Sequence, residues 1–265
     1  MAVPPKILMF DSGLGGLTVH REVAAVRPDA DYIYVADDAA FPYGALPESA
    51  LVARVVGLFG ELIAAHRPDL AVIPCNTAST IVLPALREKF AVPFVGTVPA
   101  IKPACAASVT RRVSVLGTEG TVAREYTRAL IRDFAQDCEV TLVGSKHLAS
   151  YAEAELAGTP VRDADIRAEL APCFVDDAKR TDTIVLACTH YPLLLERLTR
   201  LAPWPVNYID PAPAIARRVV DLLGPAPAGA PSGSSRAIFT SGRAPHAVLA
   251  RFGIAPAPAA VIGAK

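Results

Sequence analysis

The chain of 265 residues carries 26 basic and 26 acidic residues, and 52% of its residues are hydrophobic. This apolar content is ample for the core of one large domain or of two small ones. The balanced charge predicts no overall field that would hold a nucleic acid or an anionic membrane surface, so small molecules are the expected partners.

Cellular location and redox state are predicted from the same composition. No apolar run approaches the roughly 18 residues that a membrane span needs, and the first residues, MAVPPKILMF, lack the pattern of a secretion signal. We therefore expect a cytoplasmic protein. Its five cysteines, an odd number, are expected to be reduced thiols rather than a disulfide framework.

Short runs rich in Val, Ile and Leu alternate along the chain with segments of helical period. This alternation predicts a doubly wound α/β fold with parallel sheets. The predicted strands are, in chain order, KILMF, DYIYVA, DLAVIP, VPFVGT, RVSVLGT, EVTLVG, DTIVLA and RAIFTSG. Helices are predicted at residues 17–26, 48–66 and 123–134. Residues 224–235, rich in Pro, Gly, Ala and Ser, are expected to form an irregular surface linker without a function.

The stretch DSGLGGLTV at the end of the first predicted strand partly fits a dinucleotide-binding fingerprint. Two glycines match G-x-G-x-x-G, the third position is Thr18, and Asp37 lies about where a ribose-binding acid belongs. Asp11 and Ser12, however, occupy the end of the strand, where a carboxylate would repel a pyrophosphate. A proton-handling group is therefore the favoured interpretation, and nucleotide binding is the lesser alternative.

Two later stretches, DLAVIPCNTAS and DTIVLACTHYP, each place a cysteine directly after an apolar strand. The separation of Cys75 from Cys188 suggests two α/β lobes of comparable size, with a site in the crevice between them. Each lobe would offer a thiol at the carboxyl end of a strand, where open sheets bind ligands. A helix that starts beside a thiol favours the thiolate, so both cysteines are predicted to be reactive.

Other interpretations of the cysteines follow from the same residues. Cys105, Cys138 and Cys173 lack polar neighbours and are predicted to be apolar core residues. A zinc site is disfavoured, because neither Cys75 nor Cys188 has a second ligand at close spacing. One nucleophilic thiol would leave the other unexplained. Two thiols suit a reaction that removes a proton from one face of a carbon and returns one to the opposite face, which is racemisation.

Six stretches taken together indicate a family. DSGLGGLTV, YVADDAAFPYG, PCNTAST, VGTVPAIKPA, VLGTEGT and ACTHYPLL occur in the order and spacing of the cofactor-independent glutamate racemases, which the chain resembles over nearly its whole length. The resemblance implies two lobes related by a pseudo-twofold axis, with glutamate in the cleft between them and with neither cofactor nor metal. The implied lobes are residues 1–98 plus 207–265 and residues 99–206. Family members supply D-glutamate for peptidoglycan, and hence for cell wall biogenesis and cell shape.

The resemblance also implies a role for each site residue. Cys75 would take the α-proton from D-glutamate and Cys188 from L-glutamate, with Asp11 as the partner of Cys75 and His190 as that of Cys188. The implied substrate-binding residues are Ser12, Asp37, Pro42, Tyr43, Gly44, Asn76, Thr77, Thr118 and Thr189.

A further acidic position of the family's site corresponds to Glu153. The segment ahead of it, GSKHLASYAEAE, departs from the family's pattern, so Glu155 in its place, or neither residue, remains an alternative. Two other functions also remain open: racemisation of aspartate or another α-carbon acid, and binding of an amino acid without turnover. The form CTHYP, with His190 after Thr189, favours glutamate, and the paired thiols favour an enzyme. A homodimer is possible.

Overall fold

The computed structural model describes residues 3–257, which form two compact units. The described part of the first unit consists of residues 3–97 together with 212–257, and the second unit is Val98–Pro211. The predicted division assigned residues 207–211 to the first lobe. In the structure, Asn207–Ile209 forms a strand that pairs with Thr183–Ala187 of the second unit.

A parallel sheet forms the centre of the first unit. Its strands, among the described residues, are β1 (Lys6–Asp11), β2 (Asp31–Ala36), β3 (Leu70–Ile73), β4 (Phe94–Gly96), β9 (Ser235–Phe239) and β10 (Ala255–Pro256). They lie in the order β10-β9-β2-β1-β3-β4, and neighbouring strands pair in parallel. Because β1 and β3 are adjacent, the residues that follow them meet at one carboxyl edge of the sheet.

Helices cover the sheet of the first unit because their apolar residues recur at helical spacing. The described helices are α1 (Leu17–Val26), α2 (Glu48–His66), α3 (Asn76–Lys89), α10 (Ala212–Leu223) and α11 (His246–Arg251). By length and hydropathy, α2 is one described helix that would fit a membrane span. Leu51, Val55, Leu58 and Phe59 of this helix are buried in the core with strand residues, which accounts for its apolar character.

The second unit is also built on a parallel sheet. Its described strands are β5 (Arg112–Thr118), β6 (Glu139–Ser145), β7 (Thr183–Ala187) and β8 (Asn207–Ile209), in the order β6-β5-β7-β8. The helices are α4 (Ile101–Ala107), α5 (Glu119–Ala123), α6 (Glu125–Phe134), α7 (Leu148–Leu156), α8 (Asp163–Leu170) and α9 (Leu195–Leu201). The two parallel sheets confirm the predicted α/β class.

Several predicted elements differ from the observed ones in detail. The helix predicted over residues 123–134 is two helices, because the extended backbone of Arg124 separates α5 from α6. Cys188 was expected at a helix start, but a 3-10 turn, Tyr191–Leu194, follows it and α9 begins only at Leu195. The helix-dipole argument therefore applies to Cys75 alone.

The predicted linker of residues 224–235 is irregular as far as Ser234, but it is not a loose surface segment. The Gly233 N–H donates to the Pro28 carbonyl at 2.8 Å, and the Ser234 N–H donates to Asp31 Oδ1 at 2.9 Å. A Cβ at Gly233 would lie 1.9 Å from the Ala30 carbonyl oxygen, so only glycine fits this approach. These contacts fix the register in which β9 joins β2.

Candidate active site

The thiol of Cys75 lies at the carboxyl edge of the first unit's sheet. Cys75 follows β3 and is the N-cap of α3, where its Sγ accepts a hydrogen bond from the Ala78 N–H at 3.5 Å. Ser12 Oγ, from the end of β1, lies 3.8 Å from the same sulfur. Only 7% of Cys75 is exposed. A thiol in this position is favoured as the thiolate by the helix dipole and by the N–H donor.

The glycines after β1 bring the chain close to Asp11. Asp11 is fully buried, and its Oδ1 accepts the Gly13 N–H at 3.0 Å. A Cβ at Gly16 would lie 2.8 Å from the Asp11 Cβ and 2.9 Å from the Tyr34 hydroxyl oxygen. The Tyr34 hydroxyl donates to the Gly13 carbonyl at 2.7 Å. The glycine motif thus serves close packing around Asp11.

Asp37 is also fully buried, and both of its carboxylate oxygens are occupied by protein donors. Arg54 donates from Nε to Oδ2 at 2.6 Å and from Nη2 to Oδ1 at 2.5 Å. The Tyr43 hydroxyl donates to Oδ2 at 2.6 Å, and the Thr240 hydroxyl donates to Oδ1 at 2.7 Å. Four hydrogen bonds from three protein side chains, Arg54, Tyr43 and Thr240, therefore hold the Asp37 carboxylate in place.

The remaining predicted residues of the first unit lie at the same edge of the sheet. Asn76 is 2% exposed, and its side-chain amide has no hydrogen-bond partner among the described residues. An unpaired buried amide is costly, so this side chain is suited to a ligand. Thr77 is buried in the first turn of α3, and Tyr43 is buried in a 3-10 turn between the exposed Pro42 and Gly44.

In the second unit, three predicted side chains form a line that starts at Cys188. Cys188 Sγ lies 3.7 Å from His190 Nδ1, and His190 Nε2 lies 2.7 Å from Glu153 Oε1. Burial lowers the pKa of His190, but hydrogen bonds and charge interactions with Cys188 and Glu153 outweigh burial and raise that pKa well above its ordinary value. These contacts therefore favour the protonated form of the His190 imidazole.

The structure separates the two acidic candidates of α7. Glu153 faces His190, whereas Glu155 forms an ion pair with Arg197 of α9. The two side chains are two positions apart on a helix and so project about 200° from each other. The helix register therefore brings Glu153, and not Glu155, into contact with His190, the neighbour of Cys188.

Hydroxyl groups also lie at the carboxyl edge of the second sheet. Thr118 ends β5 and caps α5, with its Oγ1 accepting the Thr121 N–H at 3.2 Å. The hydroxyl oxygens of Thr118 and Thr121 are 2.9 Å apart. Thr189 is buried between Cys188 and His190. Because β5 and β7 are neighbours, these hydroxyls and the thiol share one edge of the sheet.

Comparisons with known proteins identify the family. Residues 18–219 match the family model described as Asp/Glu/hydantoin racemase. A glutamate racemase of Brucella anthropi is 58% identical over 221 residues, which are 83% of this chain and 80% of the relative. A glutamate racemase of Mesorhizobium japonicum is 54% identical over 91% of this chain and 94% of the relative. The chain belongs to the Asp/Glu/hydantoin racemase family.

A solved structure agrees with this membership. The glutamate racemase of Escherichia coli, crystallised with L-glutamate and the activator UDP-MurNAc-Ala, superposes with a TM-score of 0.88 at 40% identity. The match covers 97% of this chain and 98% of the E. coli chain. The resemblance predicted from the six motifs is confirmed, and so is the predicted enzyme class, an isomerase.

Two contributors to this racemase-family site were missed by sequence reasoning. Thr121 shares the hydroxyl pair with Thr118, and its spacing of three residues after a strand-end threonine is a capping pattern that could have revealed it. Arg54 holds Asp37 from α2. No local pattern could have revealed Arg54, because its partner lies 17 positions away and outside its helix.

The other cysteines of this family member lie away from the two strand ends. Burial raises the pKa of Cys173 to about 12, and burial together with the nearby thiol of Cys138 raises that of Cys105 to about 12. Such thiols stay protonated and unreactive at neutral pH. Within residues 3–257, no group of three or more His, Cys, Asp or Glu side chains is placed to hold a metal ion.

Proposed function

We propose that the protein interconverts L- and D-glutamate with Cys75 and Cys188 as its two acid–base groups. The observation that carries the proposal is the matched placement of two thiols. Each follows a central strand of its own parallel sheet, next to hydroxyl or imidazole groups that stabilise a thiolate. The close relatives are named glutamate racemases, and the E. coli relative was solved with L-glutamate.

In the proposed reaction, one cysteine removes a proton from Cα and the other cysteine adds a proton to the opposite face. With D-glutamate bound, the Cα–H bond breaks, the proton passes to the Cys75 thiolate, and the electron pair remains on Cα and its carboxylate. The Cys188 thiol then donates its proton to the opposite face, which gives L-glutamate and a Cys188 thiolate. L-glutamate reacts by the reverse sequence. The mechanism requires the two thiols to flank one bound glutamate.

Partners of the thiols tune this proton transfer. Asp11 is assigned as the partner of Cys75, and the N-terminus of α3 and the Ser12 hydroxyl favour its thiolate. His190, held as a cation by Glu153, stabilises the Cys188 thiolate and can return a proton to it. The two sets of groups differ, but both favour the thiolate that accepts the α-proton.

Substrate binding has to replace the electron sink that a pyridoxal cofactor would supply. The α-proton of an amino acid is weakly acidic, so donors must stabilise a carbanion and its carboxylates. We assign this role to the hydroxyls of Ser12, Thr77, Thr118 and Thr189, to the unpaired amide of Asn76, and to the backbone of the turn that carries Pro42, Tyr43 and Gly44. The proposed product, D-glutamate, would serve peptidoglycan synthesis in the cytoplasm.

A racemisation assay tests this function. L-glutamate is incubated in D₂O with metal-free and pyridoxal-free protein, and optical rotation and loss of the C2–H proton signal are followed. We expect wild type and the control Cys138→Ser to racemise glutamate, and Cys75→Ser and Cys188→Ser to lose ~100-fold or more in rate.

Three outcomes would decide against parts of the proposal. Turnover of aspartate but not of glutamate would assign the chain to another substrate of the family. Glutamate binding without turnover in wild type would indicate a binding protein. Full activity in either strand-end variant would remove that thiol from the mechanism.

A further inference from the structure

The buried carboxylate of Asp37 is the centre of a network that reaches from α2 to the loop after β9. Asp37 follows β2 and is fully buried, whereas the Arg54 side chain that pairs with it is 31% exposed. The Arg54 guanidinium binds the carboxylate through two donors, at 2.5 and 2.6 Å. Such paired, charge-assisted hydrogen bonds are strong and fix the orientation of both groups.

Other acidic residues lie next to the Asp37 carboxylate that Arg54 binds. The Asp37 N–H donates to the Asp11 carbonyl, the neighbouring Asp38 binds Ser241, and the charges of Cys75 and Asp11 act on the adjacent Tyr43. A buried carboxylate amid acidic neighbours is unfavourable without a cation. Arg54 supplies that cation among the described contacts of Asp37.

The Asp37 carboxylate, paired with Arg54, in turn decides the direction of the Tyr43 hydroxyl. A carboxylate only accepts hydrogen bonds, so the single proton of Tyr43 is committed to Asp37 Oδ2. Burial and the charge of Asp37 raise the pKa of Tyr43 well above its ordinary value, so the proton stays in place. The Tyr43 oxygen can then act toward a ligand only as an acceptor.

A Tyr43 oxygen that can only accept a hydrogen bond can bind only a donor group of an amino acid. The two carboxylates of glutamate are acceptors, and its α-ammonium is the donor. We propose that Arg54 is a positioning residue: its two hydrogen bonds hold the Asp37 carboxylate, Asp37 holds the Tyr43 proton, and the Tyr43 oxygen is thereby left to accept from the substrate's ammonium group. The inference rests on the proposed function, and it excludes Tyr43 Oη as a ligand of either substrate carboxylate.

Four variants and one control test the inference. Arg54→Met removes the cation, Arg54→Lys keeps a charge, Asp37→Asn removes the acceptor charge, and the fourth variant combines Arg54→Met with Asp37→Asn. Arg21→Met is the control, because Arg21 is an exposed arginine of α1 in the same unit. KM and kcat for both enantiomers are measured, together with the rise in Tm that D-glutamate causes.

We expect Arg54→Met to raise KM about tenfold, which corresponds to the loss of one charge-assisted hydrogen bond, with a smaller change in kcat. Arg54→Lys should recover most of the loss. Asp37→Asn should raise KM by a similar factor, and the double variant should be no worse than either single variant, because both changes act through Tyr43. Arg21→Met should match wild type.

Failure of the inference about Arg54 can be distinguished from failure of the proposed function. Multiplying effects in the double variant would show that Arg54 acts independently of Asp37, and an unchanged KM with a lowered Tm in Arg54→Met would reduce Arg54 to a stabilising residue. Either result overturns the inference while racemisation by wild type persists. Wild type that neither turns over glutamate nor gains Tm from it would defeat the proposed function instead. If Arg54→Met does not fold, Arg54→Lys and the double variant still decide the case.

Discussion

Cys75 and Cys188 differ in what surrounds them, and kinetics can assign each to one enantiomer. The enantiomers have equal free energy, so kcat/KM must be equal in the two directions for every variant. Cys75→Ser weakens the base proposed for D-glutamate, which makes that deprotonation more rate-limiting. We therefore expect a larger primary isotope effect with C2-deuterated D-glutamate than with C2-deuterated L-glutamate. Cys188→Ser should reverse the order, and the same order in both variants would contradict the assignment.

His20 is a buried residue that the proposed mechanism does not use, yet it should govern stability in acid. Burial lowers its pKa from 6.5 to about 4, while its Nε2 lies 3.2 Å from Ser235 Oγ. Between pH 6.5 and about 4, His20 binds a proton in the unfolded chain but not in the folded protein. The contribution of His20 to the unfolding free energy is therefore fully present above pH 6.5 and is lost as the pH falls toward 4.

A shift of this size corresponds to about 3 kcal/mol of unfolding free energy. We expect His20→Gln to lack this part of the pH dependence, whatever its stability at neutral pH. Chemical denaturation of both proteins between pH 7 and pH 4 measures the difference. Parallel stability profiles for wild type and the variant would show that His20 does not contribute.

Helix α7 carries Glu153, and its first residue, Leu148, is hydrogen-bonded to the side chain of Ser145 at the end of β6. Ser145 Oγ accepts the Leu148 N–H at 3.0 Å and donates to Glu169 of α8 at 2.6 Å. The Lys146 N–H donates to the same carboxylate oxygen at 3.1 Å. Ser145 thus joins the end of β6 to α7 and α8, in the segment whose sequence departs from the family's pattern.

We expect Ser145→Ala to lower the unfolding free energy by about 1 kcal/mol, the usual net contribution of a hydrogen bond. Racemisation should slow as well, because Glu153 is held less firmly against His190. Ser150→Ala, an exposed change on the same helix, is the matched control and should leave both quantities nearly unchanged. Equal effects of the two substitutions would show that the Ser145 hydroxyl has no special role.

The elements show which features the sequence could predict. Helices α1 and α2 begin and end at the predicted residues, because periodic apolar residues and a following proline mark them. Strands β8 and β10 were missed, because neither lies in a run rich in Val, Ile and Leu like the predicted strands. Both thiols could be placed at strand ends from the sequence, because polar residues directly after apolar runs are unusual. The choice between Glu153 and Glu155, and the role of Arg54, depended on how helices face their neighbours, which a single sequence does not encode locally.

At the scale of the whole molecule, the chain leaves the first unit at residue 97 and returns to it at residue 212. Strand β9 pairs with β2 only after this return, and Thr240 then donates its hydroxyl to Asp37. The second unit, Val98–Pro211, is continuous in sequence.

During protein synthesis, the second unit is therefore complete in sequence before the first unit is. When residue 211 has left the ribosome and its exit tunnel, the second unit has all the chain that its sheet requires, with Cys188, His190 and Glu153 in place. The first unit at that moment still lacks β9 and the Thr240 hydroxyl, so the surroundings of Asp37 are incomplete. The nascent chain thus completes the Cys188 half of the proposed site first, and it cannot complete the environment of Asp37 until residue 240 has emerged.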